Sequence, residues 1–488
     1  MRYAIMHNAT PSKQASLRLC IGAGALEEAE DQRGLAHFLE HMAFKGSAHV
    51  GQDEMVKILQ RKGLAFGAAG RRTINPPPLS FLQSNGLDGM DKHYMIDRRT
   101  LLFSGAAALA PRAVFGEAAP PSTPVSVSGS ESGWVAFNHT QDRITFAGEA
   151  NGFPVGIVLD SGANEIVIDT GLAHRLGLRP TGQFITQGLA GATNSQVAGP
   201  IALSVGNLVL RVPSVAVVDM TAIRQAGGIF DLVLGRPIFE AGVVSISYPS
   251  SRLAIESKSR FKAPDHSVSV ALLPTSSGLR RVEISIEGHP PAWGVLDLGN
   301  DSALSISEAY AAHGGFLTGR PVSTWIAAGV DGITTYKVAS VTEISLAGVQ
   351  FRHVPFDAVS QWLLPETPVN IGAPILSRFS SISLYYSSDR MWLGVDGVAV
   401  SAPFDRNRSG IAAAVVGEAV KILHVAPGSP ADIAHFRSGE VISKIDGMSA
   451  VQIYGGARRY WGDGPAGTSV KLTMADGSTR TIVLSDYY

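Results

Sequence analysis

A mainly β protein is what this sequence predicts: two tandem β-barrel lobes, then a further β-rich domain, with a short α/β stretch ahead of them. Three observations carry that prediction. The 53 glycines and 27 prolines are spread among short runs of Val, Ile and Leu, the texture of many short strands joined by tight turns. An internal repeat sets "PVGIVLDSGANEIVIDTGLAHRLGL" beside "PAWGVLDLGNDSALSISEAYAAHGG" in the middle of the chain. Finally, 45% hydrophobic against 17% charged residues over 488 positions describes well-buried cores, in roughly three domains.

Charge and cysteine content narrow the function classes. Lys plus Arg number 40 and Asp plus Glu 41, so the net charge of -1 leaves no electrostatic footprint for nucleic acid or an anionic membrane. The one cysteine, Cys20, lies ahead of the export-like segment below, so nothing after that segment can form an internal disulfide or a thiolate metal site. No stretch reaches the roughly 18 apolar residues that a bilayer-crossing helix needs.

Residues 17–67 read "LRLCIGAGALEEAEDQRGLAHFLEHMAFKGSAHVGQDEMVKILQRKGLAFG". In a helix His37 and His41 share one face at i and i+4 with Glu40 alongside, so two imidazoles could hold zinc while the carboxylate activates water. The stretch resembles the opening of the insulinase and pitrilysin family of zinc peptidases. That resemblance implies a third ligand, a glutamate on a later helix of a much larger chain. Here the pattern stops after Gly67, at the Pro-rich "AAGRRTINPPPLSFLQSNG". The matching part, about fifty residues, is too short to bury a core unaided. Residues 1–89 are therefore expected to be a truncated zinc-peptidase-like remnant or a miscalled extension, with no metal bound.

Residues 90–119 contain "DRRTLLFSGAAALAPRAVFGEAA". Arg98 and Arg99, the apolar run from Leu101 to Ala110 and the small-residue site around Gly116-Glu117-Ala118 supply a basic start, an apolar core and a cleavage site in order. The segment resembles a twin-arginine signal, which implies an exported, periplasmic or otherwise extracytoplasmic bacterial protein whose natural start is Met90 or Met95. The Pro/Ser-rich "APPSTPVSVSGSESG" follows, with residues 120–129 as a linker.

The two lobes are placed at 130–258 and 265–397. Their repeat puts Asp297 opposite Asp160, 297 − 160 = 137 positions on, and "IFDLVLGRPIFEAGVVSISYPSSRLAI" opposite "PVNIGAPILSRFSSISLYYSSDRMWLG". The second half reads as one residue longer near Asn300. Asp169 also stands in an Asp-Thr-Gly, but it matches Ser307, and both read as helix N-caps. "PVGIVLDSGANEIVIDTGLAHRLGL" resembles the retropepsin-like aspartic peptidases, and two such lobes imply a pepsin-like pseudo-dimer in one chain. The resemblance implies Asp160 and Asp297 as catalytic carboxylates sharing one proton around a water. It implies Ser161, Gly162 and Gly299 as support for the active-site loops. It also implies two flaps, "TQGLAGATNSQVAG" and "IAAGVDGITTYKVA", bending at Gly188, Gly191, Gly329 and Gly332. Leu298 departs from the pattern, standing where the family has a supporting hydroxyl.

From about residue 400 the run "VAPGSPADIA...SGEVISKIDG" resembles a PDZ domain of the bacterial envelope-protease type, placed at 400–488. Such domains add an extended peptide as a strand and receive its terminal carboxylate on backbone N–H groups. The resemblance implies Ser409, Gly410 and Ile411 for that loop.

The leading expectation is an exported aspartic endopeptidase acting on protein or peptide substrates as a two-lobed monomer, with no cofactor, no nucleic-acid partner and no membrane span. The alternative is a non-catalytic peptide-binding envelope protein with a degenerate second lobe. A homodimer pairing Asp160 with its symmetry mate and a zinc metallopeptidase come after these.

Overall fold

The computed structural model describes residues 94–96, 110–112, 124–129, 131–140, 143–187, 192–221, 223, 230–329, 332–364, 366–416, 419–455 and 461–488. The chain divides into two compact units, Met1–Gly89 and Met90–Tyr488. The first unit, with Cys20, His37, Glu40 and His41, lies outside the described residues. So does most of the expected signal, of which only Tyr94–Ile96 and Ala110–Arg112 are described, both as strands.

The described chain is mainly β, and its two lobes repeat one topology. In the first, the hairpin of Arg143–Ala150 and Phe153–Leu159 turns at Asn151 and Gly152, both at positive φ. Phe153–Leu159 then runs parallel to Leu232–Leu234, which pairs antiparallel with Val167–Asp169, itself parallel to Val215–Val218. In the second, Arg280–Ile286 and Ala292–Asp297 form the hairpin, and the same order continues through Val369–Gly372, Leu304–Ser307 and Val349–Val359. The central strands Val167–Asp169, Leu232–Leu234, Leu304–Ser307 and Val369–Gly372 are buried along their whole length. Leu232–Leu234 is apolar throughout, as a strand covered on both faces requires, whereas the two lobe 2 strands bury Ser305 and Asn370 among their apolar residues.

Helix caps fall where the repeat put them. Asp169 accepts from Gly171 N at 2.7 Å and Ser307 accepts from Tyr310 N at 3.2 Å, each opening a six-residue helix. The two caps lie 307 − 169 = 138 positions apart against 137 for the aspartates, so one residue is inserted between them in the second lobe. Ser126–Ser128, expected within the linker, is a strand paired with Leu208–Val212. Val125 and Val127 alternate with serines there, a period of two that seats a strand in spite of the prolines before it.

A six-stranded sheet joins the lobes. Val243–Ser247 of the first pairs antiparallel with Phe379–Tyr385 of the second, with Ser245 directly opposite Ser383. Their hydroxyls are 3.0 Å apart and buried. The two serines, 138 positions apart, are equivalent positions of the repeat, so the pseudo-twofold axis passes between them. A buried ion pair, Arg143 to Asp301 at 2.7 Å, also crosses from lobe to lobe.

The C-terminal domain has its own core, including Ile411, Ile422, Phe436, Ile442 and Leu472, beneath the sheet of Ile411–Val416, Ala419–Val425, Val441–Ile445, Ser469–Met474 and Thr479–Val483. Tyr94–Ile96 adds an antiparallel strand on the free edge of Ile411–Val416. A second apolar cluster spans the joint, combining Trp325, Ile326 and Val338 of lobe 2 with Ala412, Ala426 and Tyr487. Among the described residues no helix is long and apolar enough to cross a membrane.

Candidate active site

Each second strand of the two hairpins runs from the surface into the core and leads to an aspartate. Phe153–Leu159 delivers Asp160, whose N–H donates to Leu234 O at 3.1 Å, and Ala292–Asp297 delivers Asp297. The structure brings these two carboxyls together, buried and hydrogen-bonded to each other. Asp160 Oδ1 accepts from Gly162 N at 2.9 Å and Ala163 N at 3.0 Å. Asp297 Oδ1 accepts from Gly299 N at 3.0 Å, and Asp297 Oδ2 accepts from Asn370 Nδ2 at 2.8 Å.

The glycines of the two loops face the opposite carboxyl. A Cβ added at Gly162 would lie 2.6 Å from Asp297 Oδ1, and one at Gly299 would lie 2.7 Å from Asp160 Oδ1. Neither position has room for any side chain. Ser161, buried between the lobes, donates through Oγ to Leu296 O at 2.9 Å and accepts from Leu298 N at 3.0 Å. Leu298 offers no hydroxyl in return, and its side chain is buried in the core. One serine thus ties both loops.

Burial pushes the Asp160 carboxyl well above the usual carboxylate range, and the adjacent Asp297 charge pushes it further. Burial also raises Asp297, opposed by hydrogen bonds from Asn370, Asp160 and the Gly299 and Asn300 backbone. Two carboxyls this close cannot both ionise cheaply, so the pair holds one proton over a range of pH. Chemically, such a pair can accept a proton on one side and donate one on the other.

Of the expected flap glycines, Gly188 and Gly191 lie outside the described residues. Gly329 and Gly332 pair with each other at the end of the hairpin of Ser323–Gly329 and Gly332–Leu346. The base of that hairpin meets the C-terminal domain: Ser323 Oγ donates to Pro427 O at 2.7 Å, and Thr324 Oγ1 lies 3.2 Å from His424 Nε2. In lobe 1, Ala110–Arg112 lies antiparallel along Gly182–Gln187.

The loop of Ser409, Gly410 and Ile411 is buried, and its N–H groups already have acceptors. Those of Ser409 and Gly410 donate to Asn407 Oδ1 at 3.0 and 2.6 Å, and that of Ile411 donates to Ser409 Oγ at 3.1 Å. Asn407 therefore stands where a peptide carboxylate was expected. Sequence reasoning also missed Asn300 and Asn370. The repeat carried the signal, since they oppose Ala163 and Val233, polar side chains where the first lobe is apolar.

Comparison with known proteins finds family matches in two stretches of the chain. Residues 146–238 match the aspartyl protease family model, and residues 3–73 match that of insulinase, peptidase family M16. An aspartic-protease-like region and an N-terminal zinc-peptidase fragment are therefore both present. The probable zinc protease PqqL of Haemophilus influenzae is 36% identical over 66 residues, 14% of this chain and 7% of that protein. Human nardilysin is 53% identical over 38 residues, 8% of this chain and 3% of that protein. The chain thus spans under a tenth of the length of these relatives. Among solved structures, soybean basic 7S globulin covers 56% of this chain at 11% identity with a TM-score of 0.33. A retropepsin-like aspartic protease from Rickettsia conorii covers 28% at 14% identity with a TM-score of 0.21.

Proposed function

We propose that this chain is an aspartic endopeptidase in which Asp160 and Asp297 activate one water between them. One observation carries the reading: two buried aspartates, delivered by equivalent strands of two lobes, share a hydrogen bond inside one chain. The ionised carboxylate takes a proton from the water as its oxygen bonds to the peptide carbonyl carbon, while the other carboxyl gives its proton to the carbonyl oxygen. Collapse of the resulting gem-diol breaks the C–N bond as a proton passes to the amine. Leu298 does not undo this reading, because Ser161 of the first loop still ties the two loops together through its bonds to Leu296 O and Leu298 N of the second.

The C-terminal domain is proposed to act as a PDZ domain, taking an extended peptide along Ile411–Val416. The antiparallel seat of Tyr94–Ile96 on that edge supports it. A terminal carboxylate would displace Asn407 from the Ser409–Gly410 N–H groups. Export under the twin-arginine-like segment is part of the same proposal. Its removal would free the edges of both Ile411–Val416 and Gly182–Gln187 for incoming peptide. N-terminal sequencing of the chain recovered from an envelope fraction checks the cleavage site.

The test of the chemistry compares hydrolysis of an unfolded protein by the parent chain and by Asp160→Ala and Asp297→Ala, from acidic to neutral pH. Loss of about 10²–10⁴-fold in each variant is expected, with inhibition by a statine-type analogue and none by a chelator. Activity equal to the parent in Asp297→Ala would overturn the shared pair. Silence of all three would leave a peptide-binding protein.

A further inference from the structure

We propose that Asn370, braced by Asn300, positions Asp297 and makes it the ionised member of the pair, leaving Asp160 to carry the shared proton. Its consequence for catalysis rests on the peptidase reading above, but the ionisation order itself does not.

The network has a fixed polarity because it begins at a backbone N–H, which can only donate. Ser302 N donates to Asn300 Oδ1 at 2.9 Å, which orients the Asn300 amide. Asn300 Nδ2 then donates to Asn370 Oδ1 at 3.0 Å and to Ser305 Oγ at 3.1 Å. With its oxygen occupied, Asn370 must turn Nδ2 toward Asp297, donating to Oδ2 at 2.8 Å. Asn300, Asn370 and Asp297 are each no more than 1% exposed, so water does not substitute for these donors.

The two carboxyls are therefore not equivalent. Both oxygens of Asp297 receive an N–H, Gly299 on one and Asn370 on the other, and neither is a good place for a proton. Asp160 takes both of its backbone N–H groups on Oδ1, which leaves the other oxygen to hold a proton and donate it. Lobe 1 has no counterpart of the network: Ala163, Val167 and Val233 occupy the positions of Asn300, Ser305 and Asn370. The asymmetry of the chain, rather than the substrate, selects the base.

The other titratable groups nearby do not reverse this order. Tyr386 is buried and neutral, and both carboxylates raise its phenol further. Arg280 stacks over the Tyr386 ring at 4.6 Å, and Asp357 lies beyond Ser302 at the far end of the network. In catalysis Asp297 would take the proton of the attacking water and Asp160 would protonate the carbonyl oxygen.

The experiment is an NMR titration of the full chain with aspartate carboxyl carbons labelled with ¹³C, assigned through Asp160→Asn and Asp297→Asn. The Asp297 carbon is expected to titrate first, and in Asn370→Val, the lobe 1 residue, its midpoint should rise by about one pH unit. The acid limb of the kcat profile should move with it, with kcat down about tenfold and KM little changed. Asn370→Asp keeps the shape but brings a like charge, so it should raise the midpoint further and decides the matter if Asn370→Val fails to fold. An Asp160 carbon that titrates first, or a midpoint unmoved in both variants, overturns the inference. The predicted titration in a chain that cleaves nothing would support the inference while sinking the peptidase reading.

Discussion

Asp357 is a buried carboxyl without a part in the chemistry. It lies in the strand Val349–Val359, hydrogen-bonded to Ser302 Oγ, and burial pushes it from the ordinary 3.8 up to about 7. Between those values the folded chain holds a proton that the unfolded chain has released, so stability falls as pH rises through that window. Below it both states are protonated and the effect vanishes. Asp357→Asn should therefore stabilise the protein near pH 8 by on the order of 2–4 kcal/mol and hardly at all near pH 4. Denaturant midpoints at the two pH values check this; an equal gain at both would disprove the titration. The same sign applies to Asp160, also raised by burial. Asp160→Asn imitates its protonated form, keeping an oxygen for the Gly162 and Ala163 N–H groups and an N–H for Asp297. It should melt higher than the parent at neutral pH while losing cleavage, as expected where residues serve chemistry at the expense of stability.

The two active-site loops, as elements, share a backbone course but divide the supporting work unequally. Ser161 satisfies a carbonyl and an N–H of the other lobe, and Leu298 satisfies nothing in return. Ser161→Ala would leave Leu298 N and Leu296 O buried without those bonds, a cost of about 1–3 kcal/mol. Its expected result is a lower denaturant midpoint with a larger fall in kcat than in substrate affinity. An unchanged midpoint would mean that water replaces the hydroxyl. The loops were legible in the sequence because an apolar strand ending in Asp-x-Gly is a local pattern, and the helix caps Asp169 and Ser307 are equally local. What braces them was not legible. Asn370 reaches Asp297 across 73 positions, and Asn407 fills its own loop through a side chain that no periodicity marks. The linker was misjudged because serine and proline outweighed the alternation at Val125 and Val127.

At the scale of the whole molecule, the joint between lobe 2 and the C-terminal domain decides whether that domain is an appendage or a working part of the proposed peptidase. The lobes already complete the carboxyl pair within one chain, so specific activity should be independent of chain concentration, whereas a pair formed between chains would lose activity on dilution. The joint goes further than the lobes require. Trp325, Ile326 and Val338, on the two strands of the expected flap of lobe 2, are buried in one cluster with Ala412, Ala426 and Tyr487. Ser323 and Thr324 bond Pro427 and His424 beside it, and Arg406 reaches back from the domain to His353 O at 3.1 Å. His424 sits opposite Ala412 in the pairing of Ile411–Val416 with Ala419–Val425, so the strand proposed to receive peptide is one strand away from the flap contact. Ending the chain after Ala402 would uncover the large apolar faces of Trp325 and Ile326, each worth roughly 1.5–3 kcal/mol when buried. The shortened chain should melt several degrees lower, bind a hydrophobic dye and cleave less well. His424→Ala in the full chain should lower cleavage more than it lowers the melting temperature, because it loosens the flap while leaving the cluster packed. If the shortened chain melts and cleaves like the parent, the domain is an appendage and the contact between flap and peptide strand carries no signal.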